Sequence, residues 1–257
     1  MKKNIIYNGD CVEILNTKVD EASVDLIFAD PPYNLSGNGL KWKGNQTGGD
    51  WYMVNENWDK MSAPEYMRFT QKWIGASHRA LKDNGSIYIA CSYHNIGEVM
   101  IVLKQLDFKV NNIITWYKTN AMPNMTRRTF THATEFVIWA TKGSGWNFNY
   151  EEIKKINPEK QKDGSDKQMR DLWEMPLVQG KERLRGIDNK ALHPTQKPEE
   201  MLKRIILASS NKGDLVLDPF LGSGTTTYVA KKYGRGWIGI EREKKYVEAA
   251  KKRMNKS

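Results

Sequence analysis

The tetrapeptide Asp30-Pro31-Pro32-Tyr33 directly follows the apolar run Val24–Ala29, which places a carboxylate at the end of a buried strand. In open α/β sheets that strand end is where ligands bind. Two consecutive prolines fix two φ angles and remove two backbone donors. The Asp30 carboxylate and a stiffly held carbonyl then make an acceptor pair for an –NH2 group. The Tyr33 ring adds a flat face on which a planar base can stack. The plainer reading is a rigid turn with an ordinary surface tyrosine.

A second segment, Asp218-Pro219-Phe220-Leu221-Gly222-Ser223-Gly224-Thr225-Thr226, lies between an apolar run ending at Leu217 and the helical pattern Thr225–Tyr233. Glycines in such a turn let a ligand approach the backbone closely. Strand, glycine turn and helix together form the cofactor-loop setting of nucleotide-binding folds. Glu241 ends the next strand, 23 residues after Asp218. An acid there can bond both hydroxyls of a ribose, and dinucleotide folds use a spacing of roughly 20 residues. The segment is not GxGxxG, and no P-loop lysine follows it. A purely structural glycine turn is the alternative. A third segment, His193-Pro194-Thr195-Gln196-Lys197-Pro198, enters the helical pattern Glu199–Ser209. Its helix start favours an anion such as a carboxylate, but alone it reads as a plain helix-start turn.

These segments need a scaffold. Strands are expected at Asp25–Ala29, Ser86–Cys91, Asn111–Trp116, Phe136–Thr141, Leu215–Leu217 and Gly236–Ile240. Helices are expected at Cys11–Leu15, Ala63–Lys82, Ile96–Leu106, Glu199–Ser209, Thr225–Tyr233 and Lys244–Met254. Their alternation predicts an α/β fold with a largely parallel sheet. Two stretches break the pattern. Asn34–Lys60 is rich in Gly, Asn and Trp and reads as a long loop, either functional or without a role. Tyr150–Ala191 is highly charged, weakly periodic, and reads as an insertion between two halves of the core.

The chain has 257 residues, enough for one sizeable core. It shows no run of membrane-span length and no secretory signal pattern. Two cysteines, Cys11 and Cys91, make neither a disulfide framework nor a metal site. A reducing, cytoplasmic setting is expected. The net charge of +10 suggests a polyanionic partner. Residues 231–257 carry +7 of it and read as a solvated helix face. Residues 101–150 carry +4, with Lys118, Arg127 and Arg128 near aromatic residues, and are the better nucleic-acid candidate.

Taken together, these residues resemble the β-class DNA amino-methyltransferases. The match is one of order as well as content: the tetrapeptide comes first, a charged insertion follows, and the glycine loop comes late. It runs from Asn8-Gly9-Asp10 to Lys245-Tyr246 and includes Ile114–Asn120 and Thr131–Glu135. The chain looks most like small adenine-N6 enzymes of the GATC type and shares features with GANTC-type enzymes. The resemblance implies a Rossmann-like methyltransferase fold with a mixed, mostly parallel sheet and circularly permuted motif order. It implies one catalytic domain over 1–257, a target-recognition region inserted at 143–191, and a mobile DNA-facing loop at 34–60.

It also implies roles. Asp30, Pro31, Pro32 and Tyr33 would form the target-amine site, with Asp30 bordering the cofactor as well. Asp218, Phe220, Gly222, Ser223, Gly224 and Thr225 would line the loop for S-adenosylmethionine. Glu241 would hold its ribose, Asp10 would lie near its adenine, and Thr195 and Lys197 near its carboxylate. Lys118, Asn120, Arg127 and Arg128 would contact DNA. No metal is required. A homodimer and a cognate restriction endonuclease are plausible partners. Three rivals stay open. Methylation of a protein or RNA amine is one, against which the late position of the glycine loop argues. N4-cytosine enzymes of this kind more often carry Ser at the place of Asp30, and a non-catalytic DNA-binding subunit would not need the intact Gly222-Ser223-Gly224 turn.

Overall fold

The computed structural model describes residues 1–34, 61–124, 127–186, 189–193 and 195–255. The expected loop at 34–60, with Trp42, Trp51 and Trp58, lies outside the described residues except for Asn34. The order along the chain is β1 (Ile5–Asn8), α1 (Cys11–Lys18), β2 (Val24–Ala29), α2 (Ala63–Ala80), β3 (Leu81–Cys91), α3 (Ile96–Gln105), β4 (Phe108–Lys118) and β5 (Thr134–Lys142). It continues with α4 (Tyr150–Ile156), β6 (Leu172–Met175), α5 (Glu199–Ser209), β7 (Leu215–Asp218), α6 (Thr225–Lys232), β8 (Gly236–Glu241) and α7 (Lys244–Met254).

The strands form one eight-stranded sheet in the order β1-β8-β7-β2-β3-β5-β4-β6. β5 runs antiparallel to β3 and β4, and the other neighbouring pairs are parallel. The reason is local. Parallel neighbours need a crossover, usually a helix, whereas β4 and β5 are consecutive and joined by a loop, as in a hairpin. This mixed, mostly parallel sheet is the Rossmann-like architecture that the resemblance implies.

Helices cover both faces, and strand residues alternate between two cores. Ile27 and Ala29 face Leu15, Trp73, Ile74, Val99 and Leu103 of α1–α3. Leu26 and Phe28 face Met201, Leu202, Ile205, Val229 and Ala230 of α5 and α6. β2 is the topological switch: the chain passes through α2 to β3 on one side, and β7 pairs on the other. The carboxyl ends of β1, β2, β7 and β8 therefore share one edge. There the chain places Asp10, Asp30, Asp218 and Glu241.

Several boundaries move by a few residues, and two departures change the architecture. α2 starts with a capping box, the Ser62 N–H donating to Glu65 Oε2 at 2.8 Å, but it stops at Ala80. Leu81 is already paired with Val24 in β3, and strand pairing outweighs its helix propensity. The charged stretch after Lys142 is not wholly apart from the core. It supplies α4, and β6 extends the sheet beside β4. Trp173 and Met175 of β6 point into the core while Leu172 and Glu174 stay exposed. Among the described residues, no helix is long and apolar enough to cross a membrane.

Candidate active site

A cavity of about 260 Å³ opens at the shared carboxyl edge. Its lining includes Asp10, Asp30, Pro31, Pro32, Tyr33, Thr195, Lys197, Asp218, Phe220, Gly222, Ser223, Thr225 and Glu241. Segments far apart in sequence thus meet because their strands are neighbours. Gly224 is placed differently. It is the N-cap of α6 at φ 79°, and a Cβ there would lie 2.8 Å from the Ala250 Cβ. Its lack of a side chain lets α7 pack against α6 and does not shape the cavity.

The glycine turn is fastened by buried acids. Asp218 Oδ1 accepts from the Phe220 N–H at 2.9 Å, and Oδ2 accepts from the Thr226 hydroxyl at 2.6 Å. Burial is the main cause that pushes the Asp218 carboxyl up to about 7; the Asp30 and Glu241 charges add to it, against those two bonds. Glu241 accepts from the Gly222 N–H at 2.8 Å and the Glu243 N–H at 2.8 Å. Burial raises it as well. A carboxylate has about four acceptor positions, so these bonds, with a further one from the Arg242 backbone, still leave Glu241 able to accept from a ligand. Gly222 sits at φ 51°, and a Cβ there would lie 3.1 Å from His193 Nε2. His193 itself accepts at Nδ1 from the Thr195 N–H at 3.3 Å. Burial, then the charges of Lys197, Lys245 and Arg183, bring it down to about 4, so the ring is neutral at pH 7. Asp10 caps α1, accepting from Val12 and Glu13 N–H groups.

The tetrapeptide end is a charge network that the sequence did not display. Lys197 Nζ donates to Asp30 Oδ2 at 2.7 Å, and the Tyr33 hydroxyl donates to Asp30 Oδ1 at 3.0 Å. Glu135 joins them, 3.5 Å from the Tyr33 hydroxyl and 3.9 Å from Lys197 Nζ. Lys118 closes the far side at 3.2 Å from Glu135. Burial alone would pull the Lys197 ammonium down; Asp30 and Glu135 outweigh it and hold it above its ordinary value. Burial, reinforced by the same two carboxylates, holds the Tyr33 phenol well above its usual range, so it remains a donor. The Pro32 carbonyl accepts from the Tyr66 hydroxyl, itself a partner of Asn95. Among the described residues the Pro31 carbonyl accepts no hydrogen bond.

The expected DNA contacts divide. Lys118 is spent on Glu135, and Asn120 is latched to the Leu177 backbone through both its amide atoms. Arg127 and Arg128 are exposed in the β4–β5 loop. Glu135, at the end of the matched stretch Thr131–Glu135, bridges the site between Lys118 and Tyr33. Tyr66 and Asn95, which hold the Pro32 carbonyl, left no signal beyond a helical face and a helix start.

The lining sets five carboxylates, Asp10, Asp30, Asp218, Glu241 and Glu243, against Lys197 and Arg242. Such a lining suits a cation bearing hydroxyl and amino donors, and Phe28, Phe69, Phe220 and Ile240 offer apolar walls to a purine. Acids and a glycine turn at the switch point of a doubly wound sheet define an enzyme with a nucleoside-type cofactor. The chain belongs to the N6/N4 DNA methylase family, whose model matches residues 24–252.

It is 45% identical to the type II methyltransferase M2.LlaDCHI of Lactococcus lactis subsp. cremoris, over 98% of this chain and 89% of that one. Identity to M2.DpnII of Streptococcus pneumoniae is 44%, covering 98% and 90%. The structure of the M1.HpyAVI complex with S-adenosylmethionine matches with a TM-score of 0.69 at 31% identity, covering 97% of this chain and 98% of that one. The cytosine-N4-specific PvuII methyltransferase shares the fold, with a TM-score of 0.73 at 20% identity over 98% and 86%. The chain is an S-adenosylmethionine-dependent DNA methyltransferase.

Proposed function

We propose that the enzyme methylates N6 of an adenine turned out of the DNA stack, with Asp30 and the Pro31 carbonyl as acceptors for the amine. The observation that carries this reading is that Asp30 and Pro31 line the same cavity as Glu241 and the glycine turn. An exocyclic amine in a duplex is paired and stacked, so the base must leave the helix, at a cost of a few kcal/mol. Stacking on Tyr33 offsets about 1–3 kcal/mol. The amine is a weak nucleophile because its lone pair is delocalised into the ring. Bonds from its N–H groups to Asp30 and Pro31 favour a pyramidal nitrogen and stabilise the charge that develops there.

Lys197 and Tyr33 each hold one oxygen of Asp30, which leaves the carboxylate lone pairs for the amine. They act as positioning residues. Glu241 is assigned to the ribose through its remaining acceptor capacity. Phe220, Ser223 and Thr225 line the cofactor side with Gly222, Asp10 borders the adenine, and Thr195 with Lys197 meets the carboxylate. The cofactor, when bound, supplies an electrophilic methyl group on a sulfonium. Methyl transfer is then helped chiefly by alignment.

The finer setting follows the same reading. The enzyme works in the cytoplasm, as one half of a restriction-modification pair with an endonuclease for the same site, and as a homodimer. Residues 143–191 take part in target recognition, and Arg127 and Arg128 contact phosphates. The test is Asp30→Ala. Turnover is expected to vanish while cofactor binding, followed by titration, largely survives. Retained turnover would defeat the mechanism.

A further inference from the structure

The β4–β5 loop rises from the same sheet edge as the Asp30 pocket, because β4 runs in the direction of β2 and β3. Its base is tied to the pocket floor: Lys118 at the end of β4 pairs with Glu135 at the start of β5, and Glu135 reaches the Tyr33 hydroxyl. Its tip is tied to itself. The Asn124 side chain donates to the Thr129 carbonyl at 2.9 Å and also bonds the Thr129 hydroxyl. The Arg127 N–H donates to the Asn124 carbonyl at 3.3 Å.

On this braced tip Phe130 is 98% exposed. Single exposed apolar side chains need no explanation, but this one is not single. Of the ten large apolar side chains exposed among the described residues, Tyr93, Tyr117, Met122 and Phe130 gather at the ends of β3 and β4. Tyr93 stacks on His132 at 4.7 Å with an angle of 16°. Two exposed cations, Arg127 and Arg128, precede Phe130 in sequence by three and two residues. An exposed apolar ring that closely follows two exposed arginines, on a loop at the sheet edge of a pocket for an extruded base, matches a wedge that enters a base stack while its neighbours grip phosphates.

We propose that Phe130 is this wedge: it fills the gap left in duplex DNA when the target base turns into the Asp30–Tyr33 pocket, with Arg127 and Arg128 on the flanking backbone. The assignment rests on the function proposed above. A wedge has work to do in a duplex and none on a strand whose bases are already unstacked. The test compares initial methyl-transfer rates on unmethylated genomic DNA in native and in heat-denatured form, for wild type, Phe130→Ala and Phe130→Trp. Phe130→Ala is expected to slow duplex methylation about ten- to a hundredfold, the range for losing one aromatic–base stack.

Methylation of the denatured DNA and cofactor affinity stay at wild-type levels, and Phe130→Trp restores the duplex rate. Equal losses on both forms of DNA, or a loss on neither, overturn the wedge. Wild-type activity confined to denatured DNA overturns it too, while leaving the proposed reaction standing. A wild type that binds cofactor yet methylates neither form removes the proposed function itself, and the wedge with it.

Discussion

Replacing Asp218 with asparagine should alter how stability depends on pH. Asp218 is 3% exposed and its carboxyl is pushed up to about 7 from an ordinary 3.8. At about 1.4 kcal/mol per tenfold change in proton affinity, that difference corresponds to about 4 kcal/mol. The sign follows from which state holds the proton. Below 3.8 both folded and unfolded chains keep it. As pH rises from there towards 7, the unfolded chain releases its proton first, so stability falls through this window and the full penalty is present above 7. Between pH 5 and pH 8 about 2–3 kcal/mol of the loss is still to come.

Asparagine mimics the protonated form. Its oxygen accepts from the Phe220 N–H, and its amide donates to the Thr226 hydroxyl, which turns from donor to acceptor, so both contacts survive without the buried charge. Urea unfolding of both proteins at pH 5 and pH 8 isolates the effect, because every other titration cancels in the difference. The variant is expected to gain about 2–3 kcal/mol over wild type between the two pH values, or about 5–10 °C in melting temperature. Saturating cofactor, a cation, should shrink that gain at pH 8. A difference that stays constant with pH, or that moves towards wild type, would refute the electrostatic reasoning.

Further outcomes follow from the same geometry. Lys197→Met leaves the half-buried Asp30 without its cation and is expected to lower stability by about 1–3 kcal/mol in urea unfolding; adding Asp30→Leu should recover most of that stability with no turnover. Gly222→Ala and Gly224→Ala both force a side chain into positive φ, about 1–2 kcal/mol each, yet they should separate on assay. The first weakens cofactor binding through the crowded His193, while the second lowers the melting temperature by crowding Ala250 and leaves the affinity of the folded protein unchanged. Glu241→Gln puts an amide donor among groups that need acceptors and should weaken cofactor binding about tenfold or more by calorimetry.

Much of the scaffold could be read from residue order. Runs such as Leu26–Ala29 and Ile87–Cys91 are apolar without alternation because helices cover both faces of their sheet, and that signal is plain in the sequence. β1 and β6 escaped because each is only half buried over four residues, without the unbroken apolar run that marks the equally short β7. In β6, Leu172-Trp173-Glu174-Met175 alternates, but inside a charged stretch. The acids at strand ends could be anticipated from position alone. Their partners could not, since Lys197 lies 167 residues from Asp30 and Glu135 lies 102 residues from Tyr33. Side-chain pairings across a sheet edge are set by strand order, which the sequence leaves implicit. The same gap explains Gly224, whose spacing suggests a ligand although its neighbour is a helix.

The central claim is the identity of the methyl acceptor. Label should be followed from methyl-labelled S-adenosylmethionine into unmethylated genomic DNA, with the product digested to nucleosides and separated. The account predicts label in N6-methyladenine. Label in N4-methylcytosine would keep the fold and the Asp30 chemistry but contradict the substrate. No label in native or denatured DNA, with cofactor still bound, would contradict the account as a whole.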